Sequence, residues 1–494
     1  MENGMNANTA SQTAVNGMTN RLNNTAGAIT LSKEGDVGIH FSSNRMAWAY
    51  VKSNKIFYGI DHDEVLEDQY IPFGLWALAQ GMLKPFRNAK RRISLASLYI
   101  GTGELEKKLL EVTVGNVTDR KNMNLKALLD YQRGTRGGVN SQTLFREFVG
   151  NISDRCHLAL YQTPRLQGTW SKVLPSRYNE IVGLQHMKLY IADDCVILSG
   201  ANCSTDYFQK RQDRYIEIED ENLANFYCEL IDEVIKYSKQ DGRHTLPKIS
   251  KEVIIKEVSE NINNLINRWK NKQTTMLSSI SNDQMHKNTW VFPLIQMGEF
   301  NINQDEQATC NILSSAPKGS YFRLATGYFN LTENYAKILL RNCKASISLL
   351  MAHPNANGFK GAAGPAGGIP HAYSLIARQF WQQVVKFNQT SRVQMLEYER
   401  IGWTFHAKGL WYYPPGSSVP WATVVGSANL GERSVRRDLE AQAAIFTESP
   451  DLQERLHHEC SQLHKFASEC SKDLQERQAP LWVRATVGLF RTYF

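Results

Sequence analysis

The sequence predicts an α/β protein of two duplicated lobes, each a mixed β-sheet flanked by helices. Two observations carry that prediction. Strand and helix patterns run through the first half, stop at a polar stretch and start again. Four short phrases of the first half also return in the second, in the same order. LASLYIGTGELEKKLL from Leu95 is echoed by LATGYFNLTENYAKILL from Leu324, and HMK at His186 by HAK at His406. SGAN at 199–202 is echoed by GSAN at 426–429, and RQD at 211–213 by RRD at 436–438. The offsets lie between 220 and 229 residues. Chance supplies one such pair; four in order indicate duplication of one unit, with a pseudo-twofold axis and one active site where the halves meet.

Residues 1–36 are expected to be a disordered leader and a candidate targeting segment. The first 30 residues are rich in Asn, Thr, Ala and Met, with only Glu2 and Arg21 charged. They are hydroxyl-rich and acid-poor, although the arginines of a transit peptide are missing. The first lobe is placed at 37–240. Residues 72–83 read as a helix that Pro85 ends or kinks, followed by a basic cluster of Lys84, Arg87, Lys90, Arg91 and Arg92. An apolar strand at 93–100 closes on Gly101 and Gly103 and leads into a helix at 104–111. Strands are predicted at 156–160, 188–192 and 195–199, then a helix at 223–239. Residues 241–288 are polar and Lys/Asn/Ser-rich, and read as a helical connector. The second lobe, 289–494, repeats the scheme. A strand and turn are expected at 320–330, a helix at 333–341 and a strand at 346–351. A Gly-rich loop at 358–368 precedes a helix at 371–387 and strands at 393–399 and 422–426.

Bulk properties narrow the class. With 494 residues the chain is long for one core and fits two or three domains. Apolar residues at 42% and charged residues at 21% exclude wholesale disorder. A net charge of +8 favours anionic partners: phosphates, an anionic membrane face or nucleic acid. Eight cysteines without a Cys-x-x-Cys pair exclude zinc spacing and a disulfide scaffold, and read as reduced thiols. No apolar run reaches the ~18 residues of a spanning helix.

The chemistry is concentrated in the two His-x-Lys phrases. Residues two apart in a strand share a face, so His186 and Lys188 point together, as do His406 and Lys408. A neutral imidazole there can attack phosphorus, while the ammonium beside it holds the non-bridging oxygens as charge shifts. Asn202, Ser427 and Asn429, in the small-residue turns that follow, are candidate donors to those oxygens. Arg433 and Arg436 are candidate guanidinium partners of phosphate. Asp193 follows the first phrase; Asp213, Asp438 and Glu440 are candidates to orient a ring from its far nitrogen. One histidine as nucleophile and the other as acid or base need neither metal nor cofactor. Ala96, Ser97, Leu98, Tyr99, Ile100, Gly101, Thr102 and Gly103 form a second candidate region. Its Gly-x-Gly turn suits either a nucleotide phosphate or a plain strand–helix connection. The tail LWVRATVGLFRTYF, and FGLWALAQGML at 73–83, suit a membrane interface or core packing.

The paired His-x-Lys phrases resemble the double signature of the phospholipase D superfamily, whose full form adds an aspartate after four intervening residues. Asp193 completes it in the first lobe; Tyr413 stands there in the second. Longer phrases narrow the resemblance. RISLASLYIGTGELE, HMKLYIADDCVILSGANCSTDYFQKRQDRY, FHAKGLW and GSANLGERSVRRDLEAQ are similar to eukaryotic phosphatidylglycerophosphate synthases, from about residue 37 to the end. That family also lacks the second aspartate. The resemblance implies two phospholipase D-like lobes and transfer of a phosphatidyl group from CDP-diacylglycerol to sn-glycerol 3-phosphate. The products are phosphatidylglycerophosphate and CMP, on the route to phosphatidylglycerol and cardiolipin. It further implies a phosphohistidine, with His186 favoured as nucleophile and His406 as acid or base. Peripheral association with an anionic membrane, on the matrix side of the mitochondrial inner membrane, is implied as well, and no nucleic acid is expected. Phosphatidylserine synthases and phospholipase D-type diesterases share the chemistry with other acceptors. Tyrosyl-DNA phosphodiesterases also pair His-x-Lys sites, but without the aspartate that Asp193 supplies.

Overall fold

The computed structural model describes residues 5–46, 48–52, 55–59, 61–62, 65–69, 81–150, 154–166, 179–240, 249–278 and 288–493. The chain forms two compact units, 1–76 and 77–494. Most of the helix expected at 72–83 lies outside the described residues.

The first unit corrects the expectation of a disordered leader. Helix α1 (Ala7–Leu22) packs on a hairpin of β1 (Gly27–Leu31) and β2 (Val37–Phe41). Asn6 caps the helix by accepting from the Thr9 amide at 2.8 Å. Ala7, Ser11 and Val15, four apart, form its buried stripe. Gly38 permits the close approach, because a Cβ there would collide with the Ala7 carbonyl. The packing residues are small, so polar composition concealed the fold. β3 (Trp48–Lys52), β4 (Lys55–Gly59) and β5 (Leu66–Gln69) add an antiparallel three-stranded sheet.

The second unit holds both lobes. In the first lobe the strands are β6 (Arg92–Ser97), β7 (Asn124–Asp130), β8 (Cys156–Tyr161), β9 (Leu189–Ala192) and β10 (Cys195–Ser199). β11 (Arg211–Gln212) leaves the sheet, and β12 (Tyr215–Glu219) and β13 (Lys239–Gln240) complete it. The order is β12-β10-β9-β6-β7-β8-β13. The second lobe begins with β14 (Thr289–Met297), β15 (Ile302–Asn303), β16 (Tyr321–Thr326), β17 (Ser346–Ala352) and β18 (Val393–Tyr398). β19 (Thr404–Phe405) again leaves the sheet, before β20 (Gly409–Tyr413), β21 (Ala422–Gly426), β22 (Glu440–Thr447) and β23 (Ala467–Glu469). Its order, β15-β14-β22-β21-β20-β16-β17-β18-β23, repeats the first and adds two strands at one edge. Register shows the duplication residue by residue. Ser199 pairs with Tyr215 and Gly426 with Gln442, both members displaced by 227.

The lobes share a core. Ile191, Val196 and Leu198 of the first sheet belong to one cluster with Ile295, Ala441, Ala443 and Ile445 of the second. The connector is helix α2 (Lys251–Ser278), and its Ile254, Val258, Ile262 and Leu265 enter the same cluster. Each such side chain contributes about 1.5–3 kcal/mol on burial. Arg214 pins the lobes further. Its guanidinium donates to Glu459 at 2.8 and 2.9 Å and to the Val424 and Lys408 carbonyls at 2.9 and 3.2 Å, and lies 3.9 Å over the Trp411 ring. Two short parallel crossings then position the site: β11 with β19, and Gln185 with Leu439.

Candidate active site

The His-x-Lys phrases sit at strand entrances rather than inside strands. Residues 186–188 precede β9, and 406–408 link β19 to β20. Each is fastened to the opposite lobe: the His186 amide donates to the Leu439 carbonyl at 2.9 Å, and the His406 amide to that of Gln212 at 2.8 Å. The next residues are Glu440 and Asp213, so each crossing delivers a carboxylate of one lobe to the imidazole of the other. His186 Nδ1 lies 2.9 and 3.0 Å from the Glu440 oxygens, and His406 Nδ1 lies 2.6 Å from Asp213 Oδ2. The echo of RQD with RRD matches Asp213 to Asp438. The backbone instead matches it to Glu440, at the displacement of 227 shared by the neighbouring strands. Asp438 accepts from the Leu184 amide and from Arg433 Nε, both at 2.9 Å, and so fixes the segment entering His186.

Electrostatics follow from burial. Lys188 and Lys408 are buried and donate to the carbonyls of their own histidines at 2.6 and 2.7 Å. Burial pulls Lys188 down to about 7 and Lys408 to about 8, against the attraction of nearby carboxylates. Burial first, and the adjacent lysine second, hold both imidazoles well below the usual histidine range. Both rings are therefore neutral at pH 7. Burial raises Asp213 to about 6 against the pull of Lys408, and raises Glu440 against that of Lys188. Lys408 Nζ also stands 2.7 Å from Nδ1 of His406 and 3.2 Å from its Nε2. In the tautomer whose Nδ1–H is donated to the carboxylate, each ring keeps its lone pair on Nε2.

The surroundings of the two rings differ. Tyr207 Oη lies 3.5 Å from His406 Nε2 and accepts from Asn202 Nδ2 at 2.9 Å. Tyr207 and Tyr328 stand edge-on to that ring at 5.1 and 5.5 Å, and the Arg211 guanidinium lies 4.6 Å over Tyr207. Among the described residues nothing hydrogen-bonds to Nε2 of His186. Tyr207, Tyr328 and Arg211 escaped sequence reading, yet a signal existed. Tyr207 follows Asn202 by five residues, as Ser434 follows Asn429, and Ser434 Oγ donates to Glu440 Oε1 at 2.7 Å.

Other expected site residues lie elsewhere. Asp193 sits in the β9–β10 turn at φ 52°, a whole strand beyond Lys188. Burial works against its charge, but the amides of Lys90, Arg91 and Arg92 donate to it at 2.7, 2.8 and 3.1 Å and hold it below the usual carboxylate range. In the second lobe the longer connection 414–421 replaces that turn. Ser427 Oγ is occupied by the Ala441 backbone, accepting at 3.1 Å and donating at 3.2 Å. Arg436 is exposed and paired with Glu432 at 2.5 Å. Arg433 does reach the site, held by Asp438 and donating to the Glu180 carbonyl at 2.6 Å. Asn429 Oδ1 accepts from Thr326 at 3.1 Å, whereas Asn202 Oδ1 is buried without a partner among the described residues. Ala96, Ser97, Leu98 and Ile100 are buried in the first lobe. Gly101 and Gly103 wrap the Glu106 carboxylate, which accepts from Thr205 Oγ1 at 2.7 Å, so the turn is a strand–helix connection. Thr102 is exposed beside it. Of that segment Tyr99 adjoins Tyr207 and Tyr328, with Arg133 4.8 Å over its ring.

Known proteins share this arrangement of lobes. The phosphatidylserine synthase of Haemophilus influenzae Rd KW20 superposes with a TM-score of 0.61 over 83% of this chain and 90% of its own, at 19% identity. That likeness establishes the fold. In sequence, a Homo sapiens protein named CDP-diacylglycerol–glycerol-3-phosphate 3-phosphatidyltransferase, mitochondrial, is 40% identical over 458 residues, or 86% of this chain and 82% of its own. The Saccharomyces cerevisiae protein of the same enzyme name is 32% identical over 416 residues, or 77% and 78%. The chain belongs to this phosphatidyltransferase family. The two lobes of this phosphatidyltransferase are the duplicated phospholipase D-like lobes that the motifs implied. A profile of the Asparaginase family matches residues 1–60 alone, inside the first unit and outside the lobes.

Proposed function

We propose that this enzyme moves a phosphatidyl group from CDP-diacylglycerol to sn-glycerol 3-phosphate in two steps, through a covalent adduct on His186. The reaction is that of its family, a transfer giving phosphatidylglycerophosphate and CMP in phosphatidylglycerol and cardiolipin synthesis. The observation that carries the mechanism is the crossed pairing of each imidazole with a carboxylate of the other lobe. It fixes both tautomers and turns both Nε2 lone pairs to the reactants. In the first step Nε2 of His186 attacks the phosphorus bearing the diacylglycerol; the bond to the CMP oxygen breaks and CMP leaves. In the second, neutral His406 takes the proton of the acceptor hydroxyl as that oxygen attacks phosphorus. The N–P bond breaks and its electron pair returns to His186. Lys188, Lys408 and Arg433 balance the charge on the non-bridging oxygens. Arg133 and Arg211, against Tyr99 and Tyr207, suit the second phosphate of the nucleotide or the phosphate of the acceptor.

No metal or cofactor is proposed. His186, Asp438 and Glu440 bring donor atoms within 4.8 Å of one another, a spacing compatible with an ion. Asp438 already binds the Arg433 cation, however, and Glu440 accepts from His186 and Ser434. The enzyme is mitochondrial, as the names of its vertebrate relatives read. We place it on the matrix face of the inner membrane, as a peripheral protein on an anionic surface. No helix among the described residues is long and apolar enough to cross a membrane.

The test is a single-turnover experiment with CDP-diacylglycerol, run with chelator and without acceptor. CMP release with a phosphatidyl group on the His186 peptide, discharged to phosphatidylglycerophosphate by glycerol 3-phosphate, is the expected result. Product formed at an unchanged rate by His186→Ala would overturn it.

A further inference from the structure

Helix α3 (Leu481–Phe490) has an unusual outer face. Its Val483 and Val487, four apart, are buried in the core of the second lobe. The opposite side presents Leu481, Ala485 and Leu489, with the two leucines 79% and 78% exposed, and Trp482 leans from its edge onto Gly368. A surface helix ordinarily turns charge to that side; here Arg484 is the helix's sole charged residue.

We infer that this face docks the enzyme onto an anionic lipid bilayer, an inference that rests on the lipid substrate proposed above. Three observations select a bilayer. The patch is bordered by cations: Arg484 lies in the helix, and Arg437 packs 3.6 Å over the Tyr493 ring just beyond it. Aliphatic and aromatic side chains beside arginine suit the headgroup boundary. The face is also tied to the site. The Arg491 carbonyl accepts from Asn330 Nδ2 at 2.8 Å, and the Thr492 carbonyl from Arg437 Nε at 3.0 Å. Asn330 in turn accepts from the amide of Glu432, in the short helix that carries Arg433. Apolar face and phosphate-holding arginine thus share one rim, as a substrate with its acyl chains in a bilayer requires. Finally, a ten-residue helix is about 15 Å long. One face of it falls short of the roughly 800 Å² per partner of a stable protein interface.

Flotation of the full chain with vesicles tests this, using phosphatidylcholine alone and phosphatidylcholine with about a third phosphatidylglycerol. Wild type should float with the anionic vesicles. Leu481→Gln with Leu489→Gln should weaken that partition at least about tenfold, and Arg484→Gln about threefold. Turnover in detergent micelles, measured in parallel, should be unchanged, because neither change touches the site. Unaltered flotation of the double variant overturns the inference, as does a wild type that fails to float. A wild-type dimer that the double variant dissociates, with vesicle binding intact, also overturns it and assigns the face to a second copy. Loss of turnover in wild-type micelles, with flotation retained, refutes the proposed reaction and leaves the docking face standing.

Discussion

The two histidine sites are made of the same parts set at different depths. The His186 side chain is 13% exposed, and among the described residues nothing hydrogen-bonds to its Nε2; that of His406 is 4% exposed, beneath Tyr207 and beside Lys408, whose Nζ lies 3.2 Å from Nε2. Both rings have a carboxylate on Nδ1 and both are neutral, so charge does not separate them. Access does. The phosphorus of a diacyl substrate is bulky and must be approached by an open lone pair. A small acceptor hydroxyl needs only to hand over its proton, which a roofed imidazole can take. On the proposed mechanism, duplication supplied two equivalent imidazoles, and the tyrosine over one of them divides the pair into a nucleophile and a base.

The largest expected effect tests that division directly. His186→Ala should abolish both adduct and product. His406→Ala should lower transfer by about 10²–10⁴-fold, yet still release CMP once and accumulate the adduct. Quenched single-turnover labelling distinguishes them. Adduct in His186→Ala but not in His406→Ala would reverse the roles, and absence from both would dissolve the comparison.

Next come the carboxylates, where the crossing makes a counterintuitive prediction. Glu440→Gln lies in the second lobe but should slow formation of the adduct on the first-lobe histidine. Asp213→Asn, in the first lobe, should slow its discharge. Each should cost about 10²–10⁴-fold, the scale of losing an enforced tautomer. Rapid-quench rates for the two half-reactions check the assignment, and effects confined to the variant's own lobe would refute the crossing.

The pH dependence sharpens the picture further. Lys188 near 7 and Lys408 near 8 are ammonium below those values and neutral above them. Charge balance at phosphorus needs the ammonium, so kcat/KM should fall as pH rises through 7 to 8. Substrate phosphates favour the ammonium, so the same limb in kcat should lie at higher pH. The histidines act neutral and are held down by burial, so the acid limb should lie below the range of a free imidazole. A kcat/KM that stays flat well above pH 8 would show that neither lysine loses its proton there.

Duplication and chemistry were legible in the sequence because they are written in contiguous phrases. What pairs across the lobes was not. Asp213 and Glu440 lie 193 and 254 residues from the rings they orient. Moreover, Asp438 and Glu440 are two apart in the chain, in the bend before β22 and at its first residue, so both fitted the pattern. The signature aspartate misled for a different reason. Asp193 marks a turn that needs left-handed backbone and an acceptor for three amides, a requirement local to the turn and silent about the site. In the first unit the packing stripe is Ala7, Ser11 and Val15, too weakly apolar to register as a core.

The smallest expected effect lies in a single turn of helix. Arg433 and Arg436 were equal candidates in sequence, three residues apart, but the short helix Glu432–Arg436 turns them to different surroundings. Arg433 is held by Asp438 and the Glu180 carbonyl beside His186, while Arg436 is exposed and paired with Glu432. Arg433→Ala leaves the buried Asp438 without its cation and removes a charge from the phosphate site, so kcat/KM should fall by about 10²-fold or more. Arg436→Ala removes an exposed guanidinium from Glu432, away from the histidines, and kcat/KM should stay within about twofold of wild type. Steady-state kinetics on the two variants decide the matter. Equal losses would mean that the helix presents its other edge to substrate. The cationic surroundings of His186 would then extend outward to the rim, instead of ending at Arg433.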